Sequence, residues 1–169
     1  VSHSIFVILL VIAFVTDVRK AIIPNKLTIC GLLAGVGLHT ITEGWGGLLF
    51  SITGAASACM SLLLLYAIGA LGAGDVKLFT AIGALMGFSF VIQLILYSIL
   101  SAGVIGLVLI VLHKKLSATS YKLMGWIMSI AILQEADSVM GMKRQSNMKF
   151  PFMYAVVPGT ALTWYYSFV

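Results

Sequence analysis

The chain has 169 residues, of which 61% are hydrophobic and only 9% charged, with a formal net charge of +5. A soluble domain of that size carries about a quarter charged residues to hydrate its surface, so the composition excludes a soluble globule and describes an integral membrane protein. Seventeen glycines against three prolines exclude a collagen-like chain, and two cysteines, Cys30 and Cys59, cannot build a zinc ribbon or a disulfide framework.

Residues 1–16 are apolar and end at Thr16-Asp17-Val18-Arg19-Lys20. No basic region precedes the run and no small-residue cleavage site follows it, so it reads as a membrane helix rather than a signal peptide. A second run covers Leu27 to Thr42, followed by a predicted turn at Glu43-Gly44-Trp45-Gly46-Gly47. The third, Leu48 to Leu71, is long enough to cross a hydrocarbon core of about 30 Å. Gly72-Ala73-Gly74-Asp75-Val76-Lys77 then connects it to residues 78–112, which carry no charge. As one helix that stretch would reach about 52 Å, too long for a bilayer. A break near Gly87-Phe88-Ser89 divides it into two spans. Residues 113–149 form the polar stretch, and 150–169 the last span. The expected architecture is an all-α, polytopic membrane helix bundle of about six spans, with residues 1–169 forming a single domain.

The basic residues test this parity. With the amino terminus outside, the segments 17–26, 72–77 and 113–149 face the cytoplasm, and together they hold all ten Lys and Arg residues. Cytoplasmic enrichment of Lys and Arg sets membrane orientation. The positive charge therefore reads as topology, not as nucleic-acid binding. Both termini are expected outside. Within the long loop, Leu123, Trp126, Ile127, Ile130 and Leu133 recur at helical spacing, as in a short interfacial helix; a solvated helix or a partner-docking face fits equally.

Of the five acidic residues, Glu43, Glu135 and Asp137 fall in turns or the polar loop, where charge costs little. Asp17 and Asp75 instead mark cytoplasmic span ends at similar depth. A lone carboxylate there can snorkel or cap a helix as readily as do chemistry. Two on one side form a complete acid/base apparatus: one ionised to take a proton from water, the other protonated to polarise a carbonyl. Gly72 and Gly74 would let the chain leave helical geometry and a substrate backbone approach. A helix-ending turn with Asp75 capping the next helix explains them equally well.

Gly72-Ala73-Gly74-Asp75 matches the GxGD signature of polytopic aspartic proteases. Asp17-Val18-Arg19-Lys20-Ala21-Ile22-Ile23-Pro24-Asn25 resembles the other aspartate motif of type IV prepilin peptidases. Lys77-Leu78 and Pro151-Phe152 leading to Gly159 also fit. The resemblance runs over essentially the whole chain. It implies an aspartic endopeptidase of the bacterial or archaeal cytoplasmic membrane, clipping short basic leaders from type IV pilin-like precursors at the cytoplasmic face. Asp17 and Asp75 correspond to the catalytic pair, no cofactor is implied, and the substrate has a glycine before the cut and an apolar helix after it. Gly72, Gly74 and Lys77 are expected at the substrate. Pro24 and Asn25 are expected to set the turn into the second span, proline by its fixed φ and asparagine as a cap. Bifunctional members carry an amino-terminal extension with paired CxxC motifs and also methylate the product; the resemblance here is to the peptidase-only branch, with no methyltransferase activity expected. A second proline often follows the Pro-Phe pair in the family, whereas Tyr154 stands near that place.

Other features read as packing. Gly31-x-x-x-Gly35 and Gly83-x-x-x-Gly87 allow close helix approach. His3, His39 and His113 are dispersed among different span ends and make no metal spacing. No serine has a histidine or buried lysine nearby to activate it, and Lys77 can snorkel. The competing class is a small transport or assembly subunit with ion- or proton-binding aspartates. Such a subunit would place them near mid-membrane, not at span ends.

Overall fold

The computed structural model describes residues 1–20, 22–112 and 152–168, and every regular element among them is an α-helix: α1 Ser2–Lys20, α2 Asn25–Glu43, α3 Trp45–Ala67, α4 Ala73–Leu112 and α5 Met153–Phe168. Three of them, α1, α3 and α4, contain stretches long and apolar enough to cross a membrane. The outer faces of α1 to α4 carry large exposed apolar side chains, among them Ile8, Ile29, Leu33, Met60, Leu64 and Leu96. A soluble protein could not leave so many uncovered. The fold is a polytopic membrane helix bundle. The loop 113–149, with its expected interfacial helix, lies outside the described residues.

Two compact units divide the chain. One comprises Val1–Ala102 with Phe150–Val169, and the other Gly103–Lys149, of which 103–112 are described and helical. The first unit has α4 at its centre. Leu78, Phe79, Ile82 and Leu85 of its first arm are all buried, together with Phe6 and Leu9 of α1 and Leu62 of α3.

Small residues permit this packing. A side chain at Gly35 would come within 2.8 Å of the Ala84 backbone, and Gly54 and Gly83 meet backbone to backbone so closely that neither has room for a Cβ. Gly31, likewise, faces Leu9. The small-residue spacings thus serve as helix contacts, as expected.

The helix boundaries correct the sequence reading in three places. The turn after α2 contracts to Gly44 alone, at φ +60°, and α3 begins at Trp45. The chain leaves helical geometry after α3 at Gly69, φ +79°, not within Gly72-Ala73-Gly74. Ala73 already opens α4, so Gly74 and Asp75 belong to its first turn. The expected break in the long apolar stretch is at Gly87, with φ 81° and ψ 179°, a conformation open essentially to glycine alone.

Candidate active site

The first motif lies at the end of α1. Helix α1 runs through Asp17 to Lys20, and Asp17 is buried, 7% exposed, despite its charge. A buried carboxylate needs a donor. Asp17 Oδ2 accepts a hydrogen bond of 3.3 Å from the backbone N–H of Met153, the first residue of α5. The first N–H groups of a helix have no partner within it and carry partial positive charge, so each group satisfies the other.

The second motif repeats that logic within one element. Gly72 stands just before α4, and its N–H donates to Asp75 Oδ2 at 3.2 Å, while the Asp75 N–H donates to the Gly72 carbonyl at 3.1 Å. The first of these is one half of a capping box, with the acid at the third helical position reaching back to the cap N–H; glycine has no side chain to supply the other half, and a backbone turn bond takes its place. Asp75 is half-buried. It does cap α4, as one reading of the sequence held, and it does so from inside the first turn.

The two carboxylates come from different helices, Asp17 from the end of α1 and Asp75 from the first turn of α4. The surrounding contacts form a closed circuit. Asp17 holds Met153; the neighbouring Phe152 ring lies 6.3 Å from Phe79, one turn beyond Asp75 on α4. Ile23, buried between α1 and α2, fills the space beside Gly74, where an added Cβ would stand 3.4 Å from its own Cβ. The side of Gly74 that the sequence reading reserved for substrate thus faces Ile23. An added Cβ at Gly72 would stand 3.2 Å from Asp75 Oδ2 itself.

Asn25 and Lys77 meet across α2 and α4. Lys77 Nζ donates to Asn25 Oδ1 at 3.0 Å, tying the turn after the first aspartate to the helix of the second. Asn25 is therefore not the expected cap. Pro24, at φ −64° and ψ 131°, occupies the cap position, and it has no side-chain cap hydrogen bond. Sequence reasoning did not anticipate the Met153, Ile23 or Asn25 contacts. Only the Pro151-Phe152 pair hinted that the last span returns to the site. Among the described residues no group of three His, Cys, Asp or Glu side chains could hold a metal ion. His39 has structural work instead: its Nε2–H reaches the Leu85 carbonyl at 3.0 Å.

A family model described as the Type IV leader peptidase family matches residues 4–107, a stretch that contains both aspartates. The chain belongs to that family. It is 36% identical over 107 residues to the prepilin leader peptidase/N-methyltransferase of Bacillus subtilis (strain 168), covering 60% of this chain and 42% of that protein. To the protein of the same name from Pectobacterium carotovorum subsp. carotovorum it is 32% identical over 125 residues, 70% of this chain and 44% of that one. To the prepilin peptidase EppA of Methanocaldococcus jannaschii it is 33% identical over 88 residues, 52% of this chain and 24% of that one. The chain thus spans less than half the length of these relatives. No solved structure matches it.

Proposed function

We propose that this leader-peptidase-family chain is a membrane aspartic endopeptidase that removes the short basic leader from type IV prepilin-like precursors. One observation supports the reading: the two family-type aspartates, 58 positions apart in sequence, stand on α1 and α4 at helix ends linked by the Asn25–Lys77 hydrogen bond and by the Asp17–Met153 and Phe152–Phe79 contacts. In the reaction the ionised carboxylate takes a proton from water while the protonated one donates a hydrogen bond to the scissile carbonyl. The resulting hydroxide oxygen bonds to the carbonyl carbon, giving a tetrahedral intermediate. The C–N bond then breaks, and the proton taken from water passes to the leaving amine. No cofactor enters. The pair titrates as a unit, so the rate should be bell-shaped in pH, falling when both groups are protonated and when both are ionised.

The orientation belongs to the same proposal. Six spans, with 17–26, 72–77 and 113–149 in the cytoplasm and both termini outside, put the aspartates at the cytoplasmic face. A basic leader suits that side of an anionic bilayer, at about 1 kcal/mol per Lys or Arg near the surface. Gly72, Gly74 and Lys77 flank Asp75, where the unwound scissile segment would lie. Family membership speaks against the transport-subunit alternative. The test is incubation of the purified protein with a prepilin-type precursor, followed by mass analysis. The expected product is cut after the glycine that ends the leader; an intact precursor throughout would contradict the reading.

A further inference from the structure

Between α2, α3 and the start of α4 lies a groove of about 390 Å³, lined among others by Asn25, Ile29, Leu33, Cys59, Val76 and Thr80. Its position is the first point. Val76 and Lys77, the two residues directly after Asp75, form part of its wall. Leu33 stands eight residues beyond the start of α2, Cys59 eight before the end of α3, and Thr80 seven beyond the start of α4. All three walls therefore run to the same depth, about 12 Å from the helix ends that bear the aspartate motifs.

The chemistry of the lining is graded. The Asn25–Lys77 hydrogen bond lies at the aspartate end, and beyond it the walls are almost wholly apolar. Ile29 and Leu33 are 56% and 63% exposed, so the groove is open along the lipid-facing side. A ligand can thus enter laterally from the bilayer without passing through water. The volume suits a few bulky side chains and is too small for a whole helix, whose diameter is about 10 Å. A helix laid along it would insert residues from one face, at spacings of three and four.

Resting on the peptidase reading above, we infer that this groove seats the apolar segment of the precursor immediately following the scissile bond. The precursor would be extended at the aspartates and apolar beyond the cut, in the same order as the groove, polar at its Asn25–Lys77 end and apolar below. It lies in the same bilayer and meets the opening from the side. Seating it holds the scissile carbonyl at Asp75 by fixing the helix that follows.

Cys59 provides the probe, in protein whose exposed Cys30 has been changed by Cys30→Ser. Single cysteines are walked through the first three turns of the precursor's apolar segment and oxidised against Cys59. Disulfides should form at positions on one helical face and fail on the opposite face. In parallel, Leu33→Trp, and separately alkylation of Cys59 with N-ethylmaleimide, should raise KM for the precursor about tenfold, the order expected when one bulky apolar side chain loses its burial. In both cases kcat should stay within about twofold, and a truncated peptide containing the leader and scissile bond but no apolar segment should be cleaved as by wild type. Disulfides on every face or none, or an unchanged KM in both blocked forms, would overturn the proposal. So would Cys59–Cys59 dimers formed in preference to precursor adducts, because a second copy would then occupy the groove. Absence of cleavage by the unblocked protein would sink the peptidase reading, while the disulfide pattern would still report the seat.

Discussion

Gly72 and Gly74 share a motif but stand in different surroundings around Asp75. A methyl at Gly74 meets Ile23 at an ordinary contact distance, whereas one at Gly72 presses on the carboxylate oxygen held by the Gly72 N–H. Neither glycine has positive φ, so alanine costs little in backbone strain at either. Gly72→Ala should therefore lower kcat by about tenfold, the equivalent of displacing one hydrogen-bonded carboxylate by a free-energy difference of about 1.4 kcal/mol. Gly74→Ala should keep most of the activity, and the larger Gly74→Val should lose turnover by pushing Ile23. Equal kcat losses in the two alanine variants would contradict this assignment. At this scale the aspartates and glycines were legible in the sequence, because each belongs to a short motif. Their partners were not. The Met153 N–H that meets Asp17 lies 136 positions away, and any residue type except proline could have supplied it.

The break in α4 is the element on which the bundle turns. Gly87 adopts a conformation costing other residues about 1–3 kcal/mol, and a side chain there would also collide with the Phe50 ring. A helix that stops leaves its last carbonyls without partners, a costly state in lipid. Leu85 is among the last carbonyls of the first arm, and His39 supplies its donor while packing its ring 4.9 Å from Phe50. Gly87→Ala should lower stability by about 2 kcal/mol or more, and His39→Leu by about 1 kcal/mol, the scale of interhelical hydrogen bonds in membranes. Both are readable as shifted unfolding midpoints in a denaturing-detergent titration. A larger loss for His39→Leu than for Gly87→Ala would reverse the ranking. Length alone exposed this break, because an uncharged stretch of that size cannot be one span. At the start of α4 the sequence left two readings open, an unwound glycine-rich segment and a capped helix entry, and the Asp75 carboxylate on the Gly72 N–H makes it the second.

The whole molecule has one orientation to be tested, set by where its basic residues fall. In a background lacking Cys30 and Cys59, cysteines at Lys20, Lys77 and Gln145 should react with an impermeant thiol reagent only from the cytoplasmic side, and one at Trp45 only from outside. Labelling of positions 45 and 145 from the same side would overturn the six-span arrangement. That the bundle is polytopic was visible from composition, since so few charges cannot coat a soluble surface. How α5 closes on α1 was not, because the long polar loop separates them and no periodicity encodes a return. The proposed function rests on distant segments joining into one acid/base pair. Asp17→Asn and Asp75→Asn test it most directly, assayed for cleavage of a prepilin-type precursor by purified, folded protein. Each substitution keeps the side chain's size and its capacity to accept a backbone N–H, so the helix contacts should survive. Cleavage should fall below detection in both, while Glu43→Gln retains wild-type rates. Robust cleavage by either aspartate variant would contradict the paired-carboxylate mechanism.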